Sequence, residues 1–136
     1  MKTQLHRASG LALLLLFAAT GTAIAQDVAV HETATIAADE LMSRIEAETA
    51  PTILDVRRPE EFAAGHVPGA INIPHTELEK RYSELEMEGS EELVVYCQSG
   101  RRAAIAEAAL GELGFTNVRD LEGHIAAWKE ADRPLE

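Results

Sequence analysis

The sequence predicts a single α/β domain built on a parallel sheet. Short apolar runs alternate along the chain with segments of helical periodicity, which is the pattern of strands alternating with helices. The best-defined runs are apolar on both faces, as in a parallel sheet that helices cover on both sides. The length of 136 residues is also that of one ordinary domain.

The first 25 residues have the layout of a secretory signal peptide. A basic start with Lys2 and Arg7 precedes an apolar run at residues 11–19, and small residues lead to Ala25. An apolar run of this length does not span a bilayer, which takes about 20 residues. We therefore expect cleavage after Ala25 rather than a retained anchor. The signal is of the bacterial type, so the expected location is periplasmic or secreted.

A short leader at residues 26–34 separates the signal from the domain, which we place at residues 35–136. The first predicted helix covers residues 38–48, because Leu41 and Ile45 share one face of it.

A strand, a brief helix and a second strand are predicted next. The first of these strands covers residues 52–56, a short apolar run that contains Asp55 near its end. Pro59 then opens a brief helix that Gly65 closes, which is the usual asymmetry of helix ends. The second strand covers residues 71–73, a run that a proline stops.

The alternation continues through the second half of the chain. Apolar residues at helical spacing predict a helix at residues 76–86. The strongest strand covers residues 93–96, and an Ala-rich helix follows at residues 102–113. A weaker strand at residues 117–121 and a last helix at residues 124–131 complete the domain.

Composition and charge exclude several kinds of function. The 12 basic and 23 acidic residues give a net charge of −11, and the signal contains two of the basic residues and no acid, so the rest carries −13. Such an acidic chain does not suit a protein that coats nucleic acid. Cys97 is the one cysteine. It cannot form an internal disulfide or a thiolate-rich metal site.

The strongest candidate for chemistry is the turn after the strand at residues 93–96. Cys97 ends this strand and Arg102 begins the next helix, with Gly100 and Arg101 between them. Cysteine attacks as the thiolate, and its free pKa of about 8.5 leaves little thiolate at neutral pH. Unpaired N–H groups at a helix start, a glycine-containing loop and two arginines would stabilise both a thiolate and an anionic substrate. The turn therefore predicts a nucleophilic cysteine.

The quoted residues resemble the rhodanese family of sulfurtransferases. The loop at residues 97–102, Cys-Gln-Ser-Gly-Arg-Arg, is similar to the six-residue active-site loop of that family. Residues 55–74 match an upstream signature that runs from Asp-Val-Arg to Asn-Ile. Residues 121–128 match a third segment, in which His124 stands where the family usually has glycine. The resemblance implies a three-layer fold with about five mostly parallel strands and helices on both faces.

The resemblance also implies a two-step sulfur transfer that needs no metal or organic cofactor. Cys97 would take the outer sulfur of thiosulfate or a similar small anionic donor, release sulfite, and pass the sulfur from its persulfide to a thiophilic acceptor such as cyanide. Of the two arginines, Arg102 is expected to contact the anion. The residues implied to bind substrate, mainly through backbone N–H groups, are Gln98, Ser99, Gly100, Arg101 and Arg102.

Three further residues are expected to support the site. Asp55 and Arg57 would pair with each other at the edge of the loop. His66 could act as a general acid or base, but the resemblance implies that it lies in a structural turn. Parallel strands would bring Asp55 and Cys97 to the same edge of the sheet.

Two other functions stay open. The domain could be a persulfide sulfur carrier or binding module that works with a protein partner. It could also belong with the phosphatases and arsenate reductases, but their loop is one residue longer, Cys-x5-Arg, and Arg102 comes fifth after Cys97. We expect no nucleic-acid partner and no stable membrane anchor after the signal is removed.

Overall fold

The structure is a computed structural model, and it describes residues 33–136. The predicted signal peptide at residues 1–25 and most of the predicted leader lie outside the described residues. Within residues 33–136, no helix has the length and apolar character needed to cross a membrane.

Strands and helices alternate along the described chain. The strands are β1 (Ala34–Ile36), β2 (Thr52–Asp55), β3 (Ile71–Asn72), β4 (Leu93–Tyr96) and β5 (Val118–Leu121). The α-helices are α1 (Ala38–Glu46), α2 (Pro59–Ala63), α3 (Leu78–Arg81), α4 (Arg101–Glu112) and α5 (His124–Glu130), and a 3-10 helix covers Tyr82–Leu85.

The five strands form one parallel sheet in the order β1-β5-β4-β2-β3. At its centre β2 pairs with β4, with Asp55 opposite Tyr96. The turns after β2 and β4 therefore begin side by side at the carboxyl edge, which is where open parallel sheets bind ligands. This arrangement confirms the predicted parallel α/β fold and the predicted placement of Asp55 and Cys97 at one edge.

Apolar side chains cover both faces of the central strand β4. On one face, Val95 belongs to a cluster that includes Leu110 of α4. On the other face, Val94 belongs to a cluster that includes Leu41 of α1 and Trp128 of α5. All five residues are fully buried, and side chains of this size each contribute about 1.5–3 kcal/mol when buried. Helices on both faces explain why β4 reads as a continuous apolar run.

Two elements differ from the sequence prediction. β1 was not predicted, and its first residue, Ala34, lies in the predicted leader. Of its three residues only Ile36 is buried, so the strand has no sequence pattern and depends on its pairing with β5. The helix predicted at residues 76–86 is a four-residue α-helix followed by the 3-10 helix. The 3-10 helix ends at Leu85, and Glu86 follows it with a φ of 49°.

Candidate active site

Cys97 lies directly after β4, and its side chain belongs to the cluster between the sheet and α4. The residue is 1% exposed. The chain then turns back over the sulfur, and Gly100 donates its backbone N–H to Cys97 Sγ at 3.0 Å. An N–H group aimed at sulfur stabilises negative charge that is present or develops there.

The other N–H groups of the loop are open to a ligand. Within residues 33–136, no acceptor takes the backbone N–H groups of Gln98, Ser99, Arg101 or Arg102. The first N–H groups of a helix have no partner inside it, and α4 is long enough, at 12 residues, for its dipole to add to them. Several donors for an anion therefore lie in the short loop that follows the sulfur-bearing residue.

The turn at Gly100 requires glycine for two reasons. Its φ is 120°, which residues with a Cβ rarely adopt. A Cβ at this position would also lie 2.9 Å from Nε2 of His124. Glycine is thus the residue that lets the chain turn so that the Gly100 N–H points at the sulfur.

Arg102 lies beside the loop and is held by Glu61 of α2. Its two terminal nitrogens donate to the two carboxylate oxygens of Glu61 at 2.6 and 3.1 Å. These hydrogen bonds lower the pKa of Glu61 to about 2. A guanidinium has five N–H donors, so the predicted contact of Arg102 with a substrate anion stays compatible with this pair. Arg101 is exposed to solvent.

Glu61 is the site residue that the sequence prediction missed. From the sequence it is an acidic residue in the first turn of a helix, and 41 positions separate it from Arg102. It also accepts the backbone N–H of Arg58 at 3.0 Å. The acid's place in the upstream signature was the one available signal, because a pair across two helices has no local pattern.

Asp55 and Arg57 form a buried ion pair at the end of β2. Arg57 donates to the two carboxylate oxygens of Asp55 at distances from 2.7 to 3.1 Å, and also to the carbonyl of Gly65 at 2.8 Å. The hydroxyl of Tyr96 donates to Asp55 at 2.7 Å and accepts the N–H of Val67 at 3.1 Å. Burial raises the pKa of Tyr96, so the hydroxyl keeps its proton. The network fixes the residue that precedes Cys97.

His66 makes its contacts with Phe62 and Glu136. Its Nδ1 lies 2.9 Å from the carbonyl oxygen of Phe62, and the two rings stack with centroids 3.6 Å apart. Its Nε2 lies 3.7 Å from a carboxylate oxygen of Glu136. These contacts explain the residue as part of a turn.

The loop is supported from below by the start of α5. Nδ1 of His124 accepts the backbone N–H of Cys97 at 3.3 Å, and Ile125 donates its N–H to the Cys97 carbonyl at 3.2 Å.

Within residues 33–136, no group of three or more His, Cys, Asp or Glu side chains is placed to hold a metal ion.

Comparison with known proteins identifies relatives of the chain. Residues 37–131 match the family described as Rhodanese-like domain. Human thiosulfate:glutathione sulfurtransferase is 36% identical over 113 residues, which cover 72% of this chain and 95% of the human protein. Thiosulfate sulfurtransferase PspE of Escherichia coli is 39% identical over 70 residues, which cover 52% of this chain and 67% of PspE.

Another relative is YrkF of Bacillus subtilis, whose name proposes a sulfur-carrier role. It is 32% identical over 93 residues, and the match covers 68% of this chain but only 49% of YrkF. This chain therefore spans about half the length of that relative.

Solved structures share the fold. A rhodanese-related protein from Thermoplasma volcanium superposes with a TM-score of 0.64 at 36% identity, covering 76% of this chain and 97% of the other. The Alr3790 protein from Anabaena gives a TM-score of 0.68 at 37% identity, covering 74% and 81%. The relatives support sulfur transfer in general, and the chain belongs to the rhodanese-like domain family.

Proposed function

We propose that the chain is a sulfurtransferase that moves a sulfane sulfur from thiosulfate, or a similar small anionic donor, to a thiophilic acceptor through a persulfide on Cys97. The observation that carries this proposal is the 3.0 Å hydrogen bond from the Gly100 N–H to Cys97 Sγ, in a loop with open N–H donors. Nucleophile, charge stabilisation and anion binding thus occur in one turn.

The first step loads the sulfur. The Cys97 thiolate attacks the outer sulfur of thiosulfate, a new S–S bond forms, and the bond between the two donor sulfurs breaks. Its electron pair leaves with sulfite, and the cysteine becomes a persulfide anion. The step needs no further oxidant or reductant. Because Cys97 is 1% exposed, a narrow donor that enters sulfur-first suits the loop.

The second step unloads it. The acceptor, cyanide in the simplest case, attacks the outer sulfur of the persulfide, and the S–S bond breaks with its electron pair returning to Cys97. Thiocyanate leaves and the thiolate is restored. Throughout the cycle the Gly100 N–H faces sulfur that carries negative charge, which it stabilises. Arg102, held by Glu61, adds a positive charge beside the loop.

Mass spectrometry of the intact protein tests the proposal. Thiosulfate should add one sulfur atom to the protein, and cyanide should remove it as thiocyanate. C97S is the matched variant, since it changes one atom, and it should show neither change. An intact wild-type protein that gains no sulfur, in the absence of reducing agents, would overturn the proposal.

A sulfur carrier that works with a protein partner is the second candidate, and the match to YrkF is the observation that favours it. Both candidates use the same persulfide and differ in turnover. A sulfur adduct that forms fully while cyanide removes it very slowly would favour the carrier.

The place of action that we propose is the periplasm or the exterior of a bacterial cell, with cleavage after Ala25. Residues 1–25 support it by their basic start, short apolar run and small residues before the cleavage site. N-terminal sequencing of protein from the periplasmic fraction tests it. Gln26 should be the first residue, and an N-terminus at Met1 would contradict the proposal.

A further inference from the structure

His124 lies directly beneath the Cys97 loop and is 7% exposed. Its Nδ1 accepts the backbone N–H of Cys97 at 3.3 Å. Its Nε2 lies under Gly100, so close that a Cβ added to Gly100 would come within 2.9 Å. One imidazole ring therefore contacts the residue that carries the sulfur and packs against the residue that donates to it.

The backbone at His124 is strained, which a role confined to filling space does not explain. Its φ is 53°, in the left-handed region that favours glycine. In the family that the sequence resembles, glycine usually stands here, and glycine can adopt this conformation without strain. Strain kept at a residue beside a reactive group is a sign that its side chain is used.

The hydrogen bonds of His124 define its tautomer. A neutral imidazole nitrogen that accepts a hydrogen bond carries no proton, so the proton of the ring lies on Nε2. Nε2 is 3.5 Å from Oδ2 of Asp120, at the end of β5, and a nearby carboxylate stabilises this form. The carboxylate thus keeps Nδ1 free to accept the Cys97 N–H.

A second carboxyl group lies behind Asp120. Oδ1 of Asp120 and Oε1 of Glu107 in α4 are both buried, and neither has a conventional partner within residues 33–136. Two carboxyl groups can hydrogen-bond only when one of them carries a proton. Burial, together with the hydrogen bond and charge of Asp120, raises the pKa of Glu107 to about 8. Glu107 therefore keeps its proton at neutral pH and adds no charge behind Asp120.

We propose that His124 is a positioning residue for sulfur transfer: its Nδ1 fixes the Cys97 amide, and its ring beneath Gly100 keeps the loop N–H groups around the sulfur. The inference rests on the proposed function and adds a residue to it. His124 acts through the loop and does not touch the donor. The titratable groups near the ring are Asp120 on β5, Glu107 on α4 and the Cys97 thiol.

Two variants of His124 test this role through the rate at which thiosulfate loads sulfur onto the protein. H124G suits the backbone conformation but removes the acceptor, so loading should be about five- to tenfold slower, as expected for one lost hydrogen bond. H124N retains an acceptor, Oδ1, near the position of Nδ1, and asparagine tolerates the left-handed region. It should restore the rate to within about twofold of the wild type.

The tautomer supplies a readout that a purely structural role would not move. Nitrogen NMR of the wild type should show the proton on Nε2, and the Cys97 amide resonance should shift in H124G and return toward its original position in H124N. Three results would each overturn the inference. The first is a proton on Nδ1, the second is sulfur loading in H124G as fast as in the wild type, and the third is loading in H124N as slow as in H124G. If H124G fails to fold, as judged by circular dichroism, H124N and the tautomer decide. A wild type that accepts no sulfur defeats the proposed function itself, whereas equal loading rates in the wild type and in H124G defeat only the role of His124.

Discussion

Glu61 binds Arg102 through both carboxylate oxygens and so joins α2 to the first turn of α4. α2 follows β2 and α4 follows β4, and these are the two central strands of the sheet. The ion pair therefore ties together the two turns that border the sulfur. With side chains only 24% exposed on both sides, it is less screened by solvent than an ordinary surface pair.

The E61Q variant should show a stability loss that depends on pH. Arg102 lowers the pKa of Glu61 from 4.5 to about 2. A lowered folded-state pKa contributes stability above the unfolded value, and that contribution is lost as the pH falls through the folded value. The wild type should exceed E61Q by about 1–2 kcal/mol at pH 7, with the difference shrinking between pH 4.5 and about 2.

Urea unfolding at a series of pH values measures this difference. E60Q is the matched control, because Glu60 is 71% exposed and lies 3.8 Å from its nearest partner, Arg58. E60Q should differ little from the wild type at any pH. A stability difference for E61Q that is the same at pH 7 and pH 3 would contradict the assigned pKa.

The two adjacent arginines of the loop should differ in their effect on donor binding. Arg102 is fixed beside the loop by Glu61, whereas Arg101 is exposed. R102A should raise the KM for thiosulfate by about tenfold, since it removes a charge-assisted contact to the anion. R101A should change KM by less than about twofold. Steady-state kinetics with cyanide as acceptor measure both, and an unchanged KM in R102A would assign the anion to the backbone N–H groups alone.

The sequence predicted the parts of this molecule that are local or that depend on parallel pairing. β4 is a continuous apolar run, and Cys97, Gly100 and Arg102 follow it in one short turn, so both the sheet and the site loop could be predicted. β1 could not, because a three-residue strand with one buried side chain has no periodicity. The contact from Glu61 to Arg102 could not be predicted either, since it depends on where two separate helices pack.

Alanine substitutions at two glycines should have opposite effects. Gly100 has a φ of 120° and no room for a Cβ beside His124, so G100A should destabilise the domain and slow sulfur loading more than tenfold. Gly111 lies inside α4 with nothing within 4 Å of an added Cβ. G111A should therefore stabilise the domain by about 0.5–1 kcal/mol and leave loading unchanged. Thermal unfolding and mass spectrometry measure the pair, and a G100A protein that loads sulfur normally would contradict the geometry of the loop.

The hydroxyl of Tyr96 should matter for stability. Y96F removes the donor to Asp55 and the acceptor for the Val67 N–H, two buried bonds, and should cost about 1–3 kcal/mol. Y82F is the control, since Tyr82 is 37% exposed and keeps its edge contact with the ring of Phe115. In a domain of this size the expected loss lowers the Tm by several degrees. A Tm for Y96F that equals that of Y82F would show that the hydroxyl does not hold the end of β4.

Glu107, which is half-buried beside Asp120 with its Oε1 fully buried, should make stability fall as the pH rises. A carboxyl group whose folded-state pKa is raised contributes stability that is fully present below the unfolded value, here 4.5, and is lost as the pH rises through the folded value, here about 8. E107Q removes this titration while keeping the size and one hydrogen-bond donor of the protonated acid. The two proteins should be similar in stability near pH 4, and E107Q should be the more stable by about 2 kcal/mol at pH 9.

Urea unfolding at both pH values measures this difference in stability. E112Q is the control, because Glu112 is an exposed residue of the same helix. Its stability should stay close to that of the wild type at both pH values. An E107Q protein whose stability relative to the wild type is the same at pH 4 and pH 9 would contradict the raised pKa of Glu107.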